Sequence, residues 1–289
     1  MMKYNSKNWS LLLTMKGSLL RKMAPALIVI SIISSTLCYL HMLNLISFLE
    51  MSNTLPVYMG AALGILLVFR NNTAYDKWWE ARKEVGALVN VSRNFAITLN
   101  GFLPKESKEK IKIAKLVSSF AFIMKGHLRN KVKMSEVHLD EKSEEYEIIK
   151  NAEHKPGAIA NIIMGKVEKL WLDKKISDIQ QMVIFNQTTS LIDIVGKCER
   201  IKNTPIPIAY AFLLKFFIVL YVMMLPFGLL DDLKWWSVPL SLILYYIMMS
   251  IVMTGEEIEV PFGKDLNDLP MDEIALGIQK NMAEIIKYD

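Results

Sequence analysis

Apolar and charged positions alternate in long blocks along this chain, and the blocks alone predict its elements. A charge-free run extends from Met23 through Leu49, about 27 residues against the roughly 20 that cross the hydrocarbon core of a bilayer. After Glu50 a second run reaches from Met51 to Phe69, and its Leu55-Pro56 start suits a helix that opens with proline in its first turn. A third begins after Thr204-Pro205-Ile206-Pro207, where prolines end one helix and let another start, and it continues to Leu230 with Lys215 inside it. The fourth, Trp235 to Gly255, is uncharged. Asp231, Asp232 and Lys234 form the turn before it, and Trp235 and Trp236 mark a membrane interface. The pattern predicts four membrane-spanning helices.

Between the second and third runs, from Arg70 to about Thr204, the pattern changes period. Ile111, Ala114, Leu116, Val117, Phe120 and Phe122 recur at helical spacing with lysines among them, which predicts amphipathic helices. Residues 131–155 are rich in Glu, Lys, Ser and His and read as a solvated helix and loop. One more helix is predicted from about Met271 to Ile286. The fold class is therefore all-α, four transmembrane helices plus a cytosolic helical bundle. Its order is 1–22 as an interfacial segment, 23–69 as the first two spans, 70–204 as the cytosolic helices, 205–255 as the last two spans, and 256–289 as a cytosolic tail. In the first of these, Trp9 and Leu11 to Leu13 lie among Lys3, Lys7 and Lys16, the makeup of a helix on a membrane surface.

Composition supports the division. A chain 52% hydrophobic with mean hydropathy +0.27 is too apolar for an ordinary soluble protein, and 22% charged is too polar for one made only of spans. The 34 basic residues against 29 acidic ones leave +5, and Lys234 is the one basic residue in the turns on the outer side. The positive-inside bias then puts both termini and the middle segment in the cytosol, with the spans in the plasma (inner) membrane. The excess charge is accounted for by topology, which leaves a nucleic-acid role without support. The first run is too long for a signal-peptide core and has no small-residue cleavage site. Cys38 and Cys198 form neither a disulfide framework nor a metal-ligand spacing.

Chemistry-bearing motifs are scarce. No nucleophile elbow, P-loop, dinucleotide fingerprint or zinc-protease motif occurs, so no catalytic residues are assigned and the chain is not read as an enzyme. His127, His138 and His154 share no ligand spacing and read as surface histidines. His41 reads as interfacial, Lys215 as a lysine that snorkels to the interface, and Gly60 with Gly64 as a close-packing pair. One pattern stands apart. Ala61, Ile65 and Phe69 fall at i, i+4 and i+8 on one helix face. Such a stripe either packs against a neighbour or, repeated around an axis, forms an apolar constriction that controls ions by dewetting. Four spans enclose no wide pore alone, so a channel would need an oligomer.

The segment Phe69-Arg70-Asn71-Asn72-Thr73-Ala74-Tyr75, followed by Glu80-Ala81-Arg82, resembles the signature of the bestrophin family in its bacterial branch. Ile176 to Ile179, Cys198-Glu199-Arg200, Thr204 to Pro207, Leu225-Pro226-Phe227, Glu256-Glu257, Pro261-Phe262-Gly263 and Asn267 to Pro270 resemble further landmarks of that family, in its order. The resemblance implies a homopentameric channel for small monovalent ions with an axial pore, its partners being copies of itself, the bilayer and the permeant ions. It implies a pore neck at Ala61, Ile65 and Phe69 and a cytosolic constriction at Ile179. Larger apolar residues are common in the family at the first neck position, so Ala61 is a departure that widens that ring. By the residues themselves, Ser177 reads as an N-cap and Gln180 as its capping-box partner, which puts Ile179 in a first helical turn.

In eukaryotic members the loop after the fourth span is an acidic calcium clasp. Asp265 and Asp268 occupy matching places here, with Glu257, while Lys264, Leu266 and Asn267 interrupt the acidic run. No cofactor is required by the resemblance; calcium at these three carboxylates is the lesser reading beside a solvated acidic turn. The neck carries no charged ring, so the sign of the ion stays open between chloride or other anions and sodium or potassium. A non-conducting membrane scaffold and a solute carrier are the alternatives, although the two pairs of spans show none of the internal repeat that carriers have.

Overall fold

The computed structural model describes residues 19–43, 45 and 54–287. These residues are helical throughout their regular parts, and they divide into two compact units. One unit lies within Met1–Asp76 and Pro205–Glu259, the other within Lys77–Thr204 and Val260–Asp289. The surface segment expected before the first span, apart from 19–22, lies outside the described residues.

The first unit holds α1 (Leu19–Met42), the first half of α2 (Thr54–Phe102), α7 (Ile208–Leu233) and α8 (Ser237–Ile258). Its core joins Leu63 and Leu67 of α2 to Leu214, Ile218 and Val222 of α7, with Met23, Ile30, Tyr245 and Val252 contributed by α1 and α8. Gly60 lets α2 and α7 approach closely, since a Cβ there would stand 2.9 Å from the Tyr221 hydroxyl. Among the described residues, nothing lies within 4 Å of a Cβ built at Gly64. All four helices are long and apolar enough to cross a membrane, yet between 22% and 28% of their apolar windows is buried. A helix apolar on nearly every side that buries so little of itself has lipid or other chains as its solvent.

Two element boundaries differ from the sequence reading. The charge-free run from Met23 gives a helix that starts at Leu19 and ends at Met42. Arg21 and Lys22 belong to it because long straight side chains are good helix formers and can reach polar surroundings from the first turns. Asp231 and Asp232 do not form the turn before the fourth span either. Helix α7 carries through both to Leu233, and the chain reverses at Lys234, whose φ of 46° is left-handed. A non-glycine residue there gives up about 1 kcal/mol.

The second unit is built around α3 (Lys108–Leu128), which is buried almost all round. It packs against α5 (Lys155–Leu172), α6 (Asp178–Asn203) and α9 (Met271–Ile286), with α4 (Glu144–Asn151) set on α5. The second half of α2 adds Ala81, Val85, Leu88, Phe95 and Leu99 to the same core. Helix α9 turns Met271, Ala275, Ile278, Met282 and Ile286 inward, the stripe of an amphipathic helix, and its bounds match the sequence reading. The N-terminus of α3 is capped by Ser107 and that of α4 by Ser143. Gly126 permits the sharp exit from α3, because a Cβ would lie 2.6 Å from the Val132 backbone.

Polar side chains then stitch this unit together. Lys125 is buried between Glu136 (2.5 Å) and Asp272 (2.8 Å). Arg129 donates to Asp272 (2.7 Å) and to the carbonyls of Phe262 and Gly263. Hydrogen bonds from Arg129 and then Lys125 hold the Asp272 carboxyl down at about 2. A carboxyl depressed in the folded state contributes stability above its unfolded value and loses it as pH falls through the folded one, here between about 4 and about 2. Asp272 is 61% exposed, so solvent screens much of the effect. Asp272→Asn should cost about 1 kcal/mol at neutral pH. Acid titrations followed by circular dichroism should show the variant losing less stability than wild type between those two pH values.

Candidate functional site

Helix α2 runs unbroken for 49 residues, with no proline between Pro56 and Phe102. Within the first unit, Leu63, Leu67, Arg70 and Ala74 face inward, at the three- and four-residue spacing of one helical face. The opposite side carries the three predicted neck residues. Ala61 is exposed, Ile65 is 60% exposed and Phe69 63% exposed. Val57, Tyr58 and Val68 are exposed beside them, so the bare apolar strip is wider than the three-residue stripe. No group among the described residues covers it.

Below that strip lies a pair of charges the sequence reading did not single out. Arg70 is only 2% exposed, and its Nη2 donates to Oε2 of Glu259 at 2.7 Å. The other carboxylate oxygen of Glu259 accepts the Ile206 backbone N–H at 2.7 Å. One carboxylate thereby holds α2 and the chain just before α7. Arg70 Nε and Nη1 are buried without a protein partner.

In the second unit, the predicted capping box is present. Ser177 Oγ accepts from the Gln180 N–H, and Gln180 Oε1 accepts from the Ser177 N–H. This sets Ile179 in the first turn of α6, where it is 71% exposed with Met182 bare beside it. The core of α6 begins only at Ile184.

The acidic positions after the fourth span are engaged locally. Glu257, in the first unit, stands 3.6 Å from Lys22. Asp265 and Asp268, in the second, form a turn in which the Asp265 N–H donates to Asp268 Oδ2 at 2.7 Å. Trp78 donates its indole N–H to the Asn267 carbonyl of the same turn. Lys215 Nζ meets Glu256 Oε1, near the end of the fourth span, at 2.6 Å. His41 lies in the last turn of α1.

The histidines depart from the sequence reading. His138 lies edge-on to Phe122, but His127 and His154 are not separate surface residues. Both point Nε2 at one oxygen of Glu199, at 2.5 and 3.1 Å. Sequence spacing hides this, because the three come from the end of α3, the start of α5 and the last third of α6. Cys198, beside Glu199 in sequence, is fully buried, and burial ahead of the nearby Glu84 charge pushes its thiol up to about 12. It is a packing residue, not a nucleophile.

Four apolar spans with bare outer faces, joined through one continuous helix to a helical unit, define an integral membrane protein. The chain matches the Bacterial/Fungal Bestrophin protein family over residues 1–284 and belongs to it. It is 35% identical over 229 residues to a voltage-dependent anion channel-forming protein of Synechocystis sp., covering 78% of this chain and 75% of that one. It is 30% identical over 276 residues to the voltage-dependent anion channel-forming protein YneE of Escherichia coli K12, covering 93% and 88%. Among solved structures, a variant of a bacterial Bestrophin homolog from Klebsiella pneumoniae superposes with a TM-score of 0.86 at 26% identity, over 92% of this chain and 100% of that one.

Proposed function

We propose that this protein is a bestrophin-like ion channel that assembles as a homopentamer around an axial pore in the plasma (inner) membrane, with both termini in the cytosol. The observation that carries the proposal is the bare strip of α2 with Ile65 and Phe69 at its centre. A face of small and bulky apolar groups that no described residue of the chain covers is what a neck lined by one helix from each subunit requires. In this reading Ala61, Ile65 and Phe69 form the neck. Ile179, presented on the first turn of α6 by its capping box, forms the cytosolic constriction.

The neck contains no charge, so it acts on the ion's hydration and not on its sign. The relatives' names favour anions, and chloride is the ion to test first. No cofactor enters the mechanism. Calcium would need six to eight oxygens, whereas Asp268 already accepts a backbone N–H and Glu257 has Lys22 beside it.

The experiment is a planar-bilayer recording of the purified protein under a tenfold potassium chloride gradient. A chloride-selective pore reverses near the chloride equilibrium potential. Reversal near the potassium potential would make the protein a cation channel of the same build. Silence at all voltages would remove the channel reading and leave a membrane scaffold.

A further inference from the structure

We propose that His127, His154 and Glu199 form a binding site for a divalent first-row transition-metal ion of the zinc type. The three side chains offer ligand atoms that all lie within 4.8 Å of one another, and they form the one such group among the described residues. They come from α3, the N-cap of α5 and α6, whose helices join in the core of the second unit. The ring centroids of the two histidines are 5.0 Å apart at 74°, so the rings do not stack, and both direct Nε2 toward Glu199 Oε1.

Two imidazole nitrogens and one carboxylate oxygen are the donor set of three-ligand zinc sites that keep a fourth position for water. In a tetrahedral site, ligand atoms sit about 3.4 Å apart. The contacts of Glu199 with His127 at 2.5 Å and His154 at 3.1 Å therefore need to open by less than about 1 Å to admit the ion. Rotation of side chains on the surface of the unit provides that movement. The three side chains are between 25% and 47% exposed, which leaves the ion a path in and the fourth position open to solvent.

Lys202 does not compete for the Glu199 carboxylate, since its ammonium is turned to Asn130 Oδ1 at 2.6 Å.

One local contact sets the site's chemistry. His154 is also the N-cap of α5, its Nδ1 accepting the Gly157 N–H at 3.0 Å. In the neutral ring the proton then sits on Nε2 and is donated to Glu199. A metal ion at Nε2 displaces that proton; the imidazole keeps one proton, now on Nδ1, and the cap bond to Gly157 opens. Metal binding and the first turn of α5 are thereby coupled.

The test uses the full-length protein in detergent with zinc as the probe, quantified by atomic absorption after desalting and by competition with a chromogenic chelator. The expected result is one zinc per chain, with affinity falling more than roughly 100-fold in each of His127→Ala, Glu199→Gln and His154→Asn, beyond the loss typical of an outer-shell partner. Asn at 154 keeps an acceptor for the α5 cap, so its loss of zinc is not a loss of fold. His138→Ala should bind as wild type does. X-ray absorption of the zinc form should show two imidazoles. No retained zinc, or zinc that persists in any one of the three variants, would overturn the site.

Discussion

Replacing Ile65 and Phe69 together by alanine should raise the single-channel current by roughly tenfold at fixed voltage, equivalent to about 1.4 kcal/mol off the permeation barrier. An apolar neck opposes ions mainly because water leaves it, and an ion that enters without its hydration shell meets a barrier that grows with the bulk of the lining. In the proposed neck, alanine at both positions removes a phenyl and a branched butyl group from each subunit and lets water stay. Ala61 should respond in the opposite direction: Ala61→Leu restores bulk to the ring where this chain has only a methyl, and should lower the current. Ile243→Ala provides the control, being exposed and apolar on α8, outside the strip of α2. Equal silence of wild type and the double variant would remove the pore from α2, and equal currents would move the gate elsewhere.

The largest effect on stability is expected at the Arg70–Glu259 pair. Removing one member of a buried ion pair leaves the other charge without its partner, at a cost of about 3–5 kcal/mol. Glu259→Gln should come near that figure, because Arg70 is only 2% exposed and two of its three nitrogens already lack protein partners. Arg70→Met should be milder, since Glu259 keeps the Ile206 N–H. The double variant Arg70→Met with Glu259→Leu should recover much of the loss, because packing apolar groups together offsets what the charges lost on desolvation. Thermal unfolding of the wild type and the three variants in one detergent checks the ordering. A double variant no better than Glu259→Gln alone would mean the pair contributes more than its desolvation costs.

These two predictions mark the limits of what the sequence makes legible. Uninterrupted apolar runs locate spans well because length against membrane thickness is a one-dimensional measure. Helix α9 and the Ser177–Gln180 box were legible for a similar reason, each being set by residues within a few positions of one another. The exit from α7 was not: Asp231 and Asp232 look like turn residues, but the backbone reversal waits for the left-handed Lys234. Long-range polar pairs were less visible still. Arg70 and Glu259 are 189 residues apart, and each alone looks like a solvated charge next to a span. His127 and Glu199 are 72 apart, and spacing rules for metal ligands look only along the chain. The neck stripe was visible as a period, but a period cannot say whether a partner covers it. The structure adds that Ile65 and Phe69 are left exposed by the described residues of their own chain.

The low burial of the four spans has a consequence for any attempt to assign this protein a single melting temperature. The first unit has its apolar faces outward and is held by whatever amphiphile surrounds it, while the second closes its own core, as a water-soluble domain does. Urea acts on the second through the surface it exposes and has much less purchase on helices already dissolved in detergent. Denaturation of such a chain is not two-state. Its resistance to heat and its resistance to denaturant are separate properties of separate halves, and a change of lipid will move one while leaving the other where it was.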